Sequence, residues 1–302
     1  MSEASVQVSE HVHVVRVRVR SYPEAYSPNV YFVVDGGEAF MVDSGFPDDD
    51  SVGARLDYLR SLGSPRLKLI ALTHHHYDHS SGAYRYQQEA DVAVAMNPVE
   101  ADLLKQAAKS ASPERSAEER RLRRKAARVR VDVFLEDGAA LEAGRLTLRA
   151  LLMPGHSAGH MCFHFEEEGL LFSGDNVLGI GTTAIAPPPY GDMLQYIDSL
   201  RRMQSLDAAI ICPGHGPIVH QPRRKIQELI DHRRERDEQV LRLISQGKDR
   251  LSQIVRGIYP ELDPRLERMA RGQILSHLHK LEAEGRVTMR QEGEEIACSL
   301  RG

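Results

Sequence analysis

The run Thr73-His74-His75-His76-Tyr77-Asp78-His79 places four metal-binding side chains within six residues, at the spacing H-x-H-x-D-H. Imidazole and carboxylate donors suit Zn²⁺, and also Mn²⁺ or iron. If a strand ends at His74, the period-two alternation of side chains sends His74 and His76 to the same side. Asp78 and His79 follow as the chain turns, so one segment can serve two neighbouring ions. Three later segments each hold a further candidate. His156 lies in Met153-Pro154-Gly155-His156-Ser157-Ala158-Gly159-His160, Asp175 in Phe172-Ser173-Gly174-Asp175-Asn176, and His215 in Cys212-Pro213-Gly214-His215-Gly216. Gly and Pro beside a ligand mark tight loops with close backbone approach.

Each candidate follows an apolar run that reads as a buried strand: Leu67 to Leu72, Leu146 to Leu152, Leu170 to Phe172, and Ala208 to Ile211. The ligands are therefore expected on loops at strand ends, where a rigid scaffold commonly carries its chemistry. Residues 11–20 alternate Val with His and Arg, a half-exposed strand pattern. A turn-rich stretch, Ser21–Pro28, leads to a strand over Val30–Val34, and Asp35-Gly36-Gly37 signals a hairpin. A helix is predicted near Asp50–Leu62. The Ala-, Arg- and Lys-rich residues 99–130 read as a solvated surface helix with salt-bridge pairs. A basic flap gripping a polyanionic substrate is the alternative. Strand and helix patterns alternate to residue 220, which gives an α/β class. Beyond it, three helices are predicted near Pro222–Ile244, Leu251–Ile258 and Pro264–Glu284. A strand–turn–strand follows around Gln291-Glu292-Gly293, and together they resemble a small winged helix. The expected division is 1–221 and 222–302.

The 302 residues, 41% hydrophobic, allow a sizeable core and about two domains. Net charge is −4, which does not suit a general polyanion binder. Residues 222–302 carry 17 Lys/Arg against 14 Asp/Glu, a mildly basic segment compatible with nucleic acid. Three scattered cysteines without a CxxC argue against a disulfide framework and for a reducing compartment. There is no export-signal pattern and no run of 18 apolar residues, so a cytoplasmic protein without membrane association is expected.

With Val42-Asp43-Ser44-Gly45 counted as the first motif, these segments resemble the five ordered motifs of the metallo-beta-lactamase superfamily, across roughly residues 10–220. The likeness implies an αββα sandwich. Within the superfamily the chain is most similar to the beta-lactamase-like protein 2 branch, which adds a C-terminal winged helix. The stretches Phe172–Thr183, Cys212–His220 and Ile274–Gly285 carry that resemblance.

The simplest allocation gives one ion His74, His76 and His156, and the other Asp78, His79 and His215, with Asp175 between them. The resemblance implies the same set, and an Asp rather than a Cys at the bridging position suits a paired-metal hydrolase. Two ions about 3.5–4 Å apart hold a water and lower its pKa from about 15.7 towards neutrality. Asp78 is the candidate to orient that nucleophile. His160 is expected to orient a ligand or transfer a proton. Asp43 is expected to hydrogen-bond a ligand, and His75 to point away from the metals. Thr182, Thr183, Tyr190 and Asn29 are candidate substrate contacts.

The branch resemblance implies a phosphodiesterase, an endoribonuclease on single-stranded RNA. A thioesterase of the glyoxalase II type, or another small-molecule ester or lactam hydrolase, is the alternative. The ligand set does not separate these. A non-enzymatic nucleic-acid-binding regulator is a third reading, with Arg265, Arg268, Arg271 and Lys280 as phosphate contacts. Against that reading, the C-terminal domain is expected to form a cleft wall or a homodimer contact.

Overall fold

The computed structural model describes residues 4–17, 27–109 and 116–301. The end of the first predicted strand and most of the turn at 21–28 fall on 18–26, outside the described residues. So does the stretch 110–115 within the basic segment.

The chain forms two compact units: Met1–Met153, Gly159–Gly181 and Asp207–Pro222 in the first, and Pro154–Ala158, Thr182–Leu206 and Arg223–Gly302 in the second. In the first unit, β1 (Ala4–Gln7), β2 (Val12–Arg16), β3 (Asn29–Asp35), β4 (Glu38–Val42), β5 (Arg66–Ala71), β6 (Ala93–Met96) and β7 (Val133–Phe134) form one sheet in chain order. It is antiparallel from β1 to β4 and parallel from β4 to β7. The β3–β4 turn is Gly36-Gly37 with positive φ at both residues (56° and 94°), the tight hairpin that the Asp-Gly-Gly signal predicts. A second sheet runs β12 (Ile210–Pro213), β11 (Leu170–Gly174), β10 (Met161–Phe165), β9 (Leu146–Leu152), β8 (Ala140–Ala143).

Period-two patterning explains the layers. Val12, Val14, Tyr31, Val33, Phe40 and Val42 of the first sheet share one core with Leu148, Ala150, Phe163, Phe165 and Phe172 of the second. The alternate residues Val15, Val30, Phe32, Ala39 and Met41 face a separate core with helices. Those helices are α1 (Asp49–Ser61), α3 (Ala83–Ala90), α4 (Pro98–Lys109) and α5 (Ala117–Ala126), contributing Val52, Leu59, Tyr86, Leu104 and Ala126. A short α2 (Tyr77–Ser80) lies between β5 and α3. Helix α5 starts where Ser116 accepts the Glu119 N–H, and its acids and bases segregate to favour the helix dipole.

The second unit holds α6 (Met193–Ser205), α7 (Pro222–Ser245), α8 (Leu251–Ile258), α9 (Glu267–Ala283) and the hairpin β13 (Val287–Glu292) and β14 (Glu295–Leu300). Val240, Ile254, Ile274, Leu278, Leu281 and Val287 build its core. Among the described residues, no helix is long and apolar enough to cross a membrane.

Candidate metal centre

Strand β5 ends at Ala71, three residues before His74. The strand alternation expected to aim His74 and His76 therefore does not apply. Asp43, just past β4 and in the left-handed region (φ 57°), accepts the Thr73 N–H at 2.8 Å and the Thr73 hydroxyl at 3.0 Å. Its other oxygen lies 2.8 Å from His79 Nδ1. A carboxylate only accepts, so Nδ1 carries the proton and Nε2 keeps its lone pair for a cation. Asp43 thus bonds His79, one of the candidate ligands.

Two ligand groups result. His74, His76, His156 and Asp175 offer atoms all within 4.8 Å of one another, and Asp78, His79 and His215 do the same. Asp175 Oδ1 lies 3.3 Å from His79 Nε2 and 3.6 Å from His215 Nε2, so it also faces the second group. Asp78 Oδ2 stands 3.4 Å from His215 Nε2, and His79 Nε2 3.1 Å from His215 Nε2. The loops of Asp175 and His215 are adjacent because β11 and β12 run parallel and Gly214 N–H bonds the Gly174 carbonyl at 2.8 Å.

The electrostatics of the second group favour positive charge. Burial opposes ionisation of Asp78, but the charges of His79 and His215 and the hydrogen bond from His215 hold its carboxyl well below the usual range. Burial also opposes charge on His79, yet Asp175, Asp43 and Asp78 raise its pKa well above that of a free imidazole. His215 is raised despite burial, by Asp175 and Asp78. Nitrogen lone pairs and carboxylates converge on a small volume, the donor set that divalent ions require.

Two glycines leave room for it. A Cβ at Gly214 would stand 2.5 Å from Asp175 Oδ1 and 2.8 Å from His79 Cε1. At Gly174, where φ is +48°, it would meet His160 Nε2 at 2.7 Å and Thr73 Cβ at 2.8 Å. The residues present fit a pair of metal ions.

His160 is fully buried and stacks on His74, with ring centroids 5.1 Å apart. Its Nε2 accepts the Asp175 backbone N–H at 3.2 Å. His75 turns to Glu100: Oε2 accepts the His75 N–H at 2.8 Å and lies 2.6 Å from its Nδ1. Glu100 Oε1 accepts the Gly159 N–H at 2.8 Å, so one buried carboxylate on α4 ties the H-x-H run to the segment after His156. Sequence reasoning did not find Glu100, because a lone acid in a charged stretch has no distinctive spacing.

Two expected substrate contacts are instead buried supports. Asn29 Nδ2 donates to the Pro213 and Gly216 carbonyls at 2.8 and 2.9 Å, which braces the His215 loop. Thr183 is buried with Oγ1 2.9 Å from His156 Nδ1. Thr182 and Tyr190 are exposed.

Residues 24–215 match the family described as the metallo-beta-lactamase superfamily. The chain belongs to that superfamily. Residues 251–295 match the beta-lactamase associated winged helix domain, so the helices and hairpin of the second unit include that module. The chain thus combines the superfamily's domain with the winged helix that its sequence predicts. It is 33% identical over 220 residues to an atrochrysone carboxyl ACP thioesterase of Aspergillus fumigatus, covering 70% of this chain and 58% of that protein. It is 26% identical over 223 residues to the beta-lactamase-like protein 2 homolog of Caenorhabditis elegans, covering 73% and 66%. The chain thus spans about three fifths to two thirds of these relatives. A metallo-beta-lactamase family protein from Thermus thermophilus has the same fold, with a TM-score of 0.81 at 25% identity over 98% of this chain and 100% of that one.

Proposed function

We propose that the protein hydrolyses an acyl thioester at a two-ion centre. His74, His76 and His156 would hold one ion, Asp78, His79 and His215 the other, with Asp175 between them. The position of Asp175 carries this reading: it belongs to the first ligand group and its Oδ1 lies 3.3 Å from His79 Nε2 of the second. Two divalent ions bound there, Zn²⁺ first among Zn²⁺, Mn²⁺ and iron, would supply a nucleophilic water near neutral pH and polarise the scissile carbonyl.

The chain's own residues do the positioning. Asp78, held ionised, offers the attacking water an acceptor that orients it. Asp43 fixes the tautomer of His79. His160 acts through Asp175, whose backbone N–H it accepts; these contacts support orientation rather than proton transfer.

The likeness to a named thioesterase supports the substrate class. So does the state of the cationic side chains. On α9, Arg271 faces Glu295 and Lys280 is clasped by Asp237 and Glu284, while Arg265 is paired with Asp263 just before it. On α5, Arg121 pairs with Glu118 and Asp48, and Arg123 with Glu119. Polyphosphate binding draws on accessible, unneutralised Lys and Arg, and Lys280, nearly buried between two acids, is not among them. A single-stranded RNA phosphodiester is the second reading, favoured by the likeness to the beta-lactamase-like protein 2 branch.

The test is metal-loaded protein given an acyl-pantetheine thioester, with thiol release followed, and in parallel a labelled single-stranded RNA. Asp175→Asn is the control. Metal-dependent thiol release lost in the control supports the proposal. RNA cleavage without thiol release transfers it to the second reading. Neither reaction, with two ions bound per chain, refutes both and leaves a binding role.

A further inference from the structure

The ligand His156 is oriented from outside the five superfamily motifs. Its Nδ1 lies 3.0 Å from the Ala184 carbonyl and 2.9 Å from Thr183 Oγ1. A carbonyl only accepts, so Nδ1 bears the proton and Nε2 is the metal-facing atom. The segment Thr183–Ala186 has no regular secondary structure, so its position depends on what grips it. Arg233, on α7 and 2% exposed, donates through Nη2 to the Thr183 carbonyl at 2.6 Å. Its guanidinium lies over the Tyr196 ring, 5.3 Å from the centroid, which limits its freedom to follow a moving loop. From α9, Gln273 Oε1 accepts the Ile185 N–H at 2.9 Å.

We propose that Arg233 is a positioning residue for the metal centre, acting through Thr183 on the tautomer and direction of His156. The C-terminal helices then serve the hydrolase by fixing one ligand. This inference rests on the two-ion reading above.

The experiment measures the affinity of each of two Co²⁺ ions by chelator competition, together with the visible ligand-field spectrum, in wild type, Arg233→Met, Arg233→Lys, Thr183→Val and the Met/Val double variant. Partners behind a ligand typically set about 10–100-fold in metal affinity. Arg233→Met and Thr183→Val should each weaken one ion about tenfold, leave the other within about twofold, and alter the spectrum. Arg233→Lys should recover part of the loss, because an ammonium still donates to the carbonyl. The double variant should lose less than the product of the single losses, because both act through one path. Wild-type affinities and spectrum in Arg233→Met overturn the proposal, as does equal weakening of both ions with a lowered melting temperature. If Arg233→Met does not fold, Thr183→Val decides, and unchanged affinities there refute it. A wild type that binds no Co²⁺ refutes the metal reading instead.

Discussion

Glutamine at position 100 would test whether a single buried carboxylate holds two ligand loops together. Glu100 is fully buried and accepts three hydrogen bonds: from His75 N–H, from His75 Nδ1, and from Gly159 N–H. Its two oxygens are both in use, on opposite loops. Glutamine has one acceptor oxygen. Whichever way the amide turns, its NH₂ group faces an N–H. If the oxygen stays on the two His75 donors, Gly159 N–H is orphaned, at about 1–3 kcal/mol for a buried donor. The retained bonds also lose charge assistance, which removes roughly half of each contribution, about 1 kcal/mol or more between them. The expected loss for Glu100→Gln is about 2–4 kcal/mol, within the ~5–15 kcal/mol that a folded domain holds. Urea unfolding at pH 7 measures it: the midpoint should fall while the slope stays constant. Metal affinity should fall as well, since the loops bearing His74 and His76 and following His156 are no longer tied. A loss below about 0.5 kcal/mol, the level of an ordinary surface change, would refute the reasoning.

Gly174→Ala combines a Cβ at 2.7 Å from His160 Nε2 with a φ of +48°, so about 2 kcal/mol or more of stability should be lost, and an unchanged thermal melt would contradict the close approach. A chelator should lower the melting temperature of metal-loaded protein, because ions at a thousandfold excess over Kd stabilise by about 4 kcal/mol, and an unmoved transition would mean the clusters bind no metal. His277 is held below the usual imidazole pKa, by burial first and against the pull of Asp237, so the unfolded chain takes up the proton first as pH falls. Its stabilisation is full above about pH 6.5 and is lost below that, so His277→Gln, which keeps a donor for Asp237, should flatten the fall in stability from pH 7 to 5 by at most about 1.4 kcal/mol per pH unit. An identical slope in the variant would show that His277 does not titrate there.

The candidate donors stood out because metal donors come from few residue types, because four fall within one six-residue run, and because His156, Asp175 and His215 each sit beside glycine. The hairpin at Gly36-Gly37 and the C-terminal helices were legible for similarly local reasons: a turn demanding positive φ, and apolar spacing of 3.6 residues. What failed was inference that crosses from local pattern to tertiary partner. Strand β5 stops at Ala71 because Asp43, thirty residues earlier, captures the Thr73 N–H and ends the ladder. Thr183 and Asn29 looked like polar residues near a cleft. Each is buried, and its polar atoms serve a neighbouring loop. Glu100 carries no marker at all, because its role exists only once His75 and Gly159 are brought to it.

Charge in the C-terminal region shows the same limit in a form that bears on function. A count of 17 bases against 14 acids over residues 222–302 suggests an excess available to a polyanion. In the fold, Asp237 is nearly fully buried and receives both His277 and Lys280, and Lys280 also meets Glu284 one turn on. Arg233 is buried against Tyr196 and a loop carbonyl. Lys280 is nearly buried and paired with two acids, so recruiting it to a phosphate would require breaking a largely buried pair, at about 3–5 kcal/mol for the charge left uncompensated. An exposed arginine gives up its partner far more easily, since a surface pair contributes only about 0–1 kcal/mol. The bases that count for a polyanion are therefore the exposed ones, and by that measure the helices of the second unit offer fewer than the sequence suggests. Their buried arginine is directed instead at the loop that orients His156.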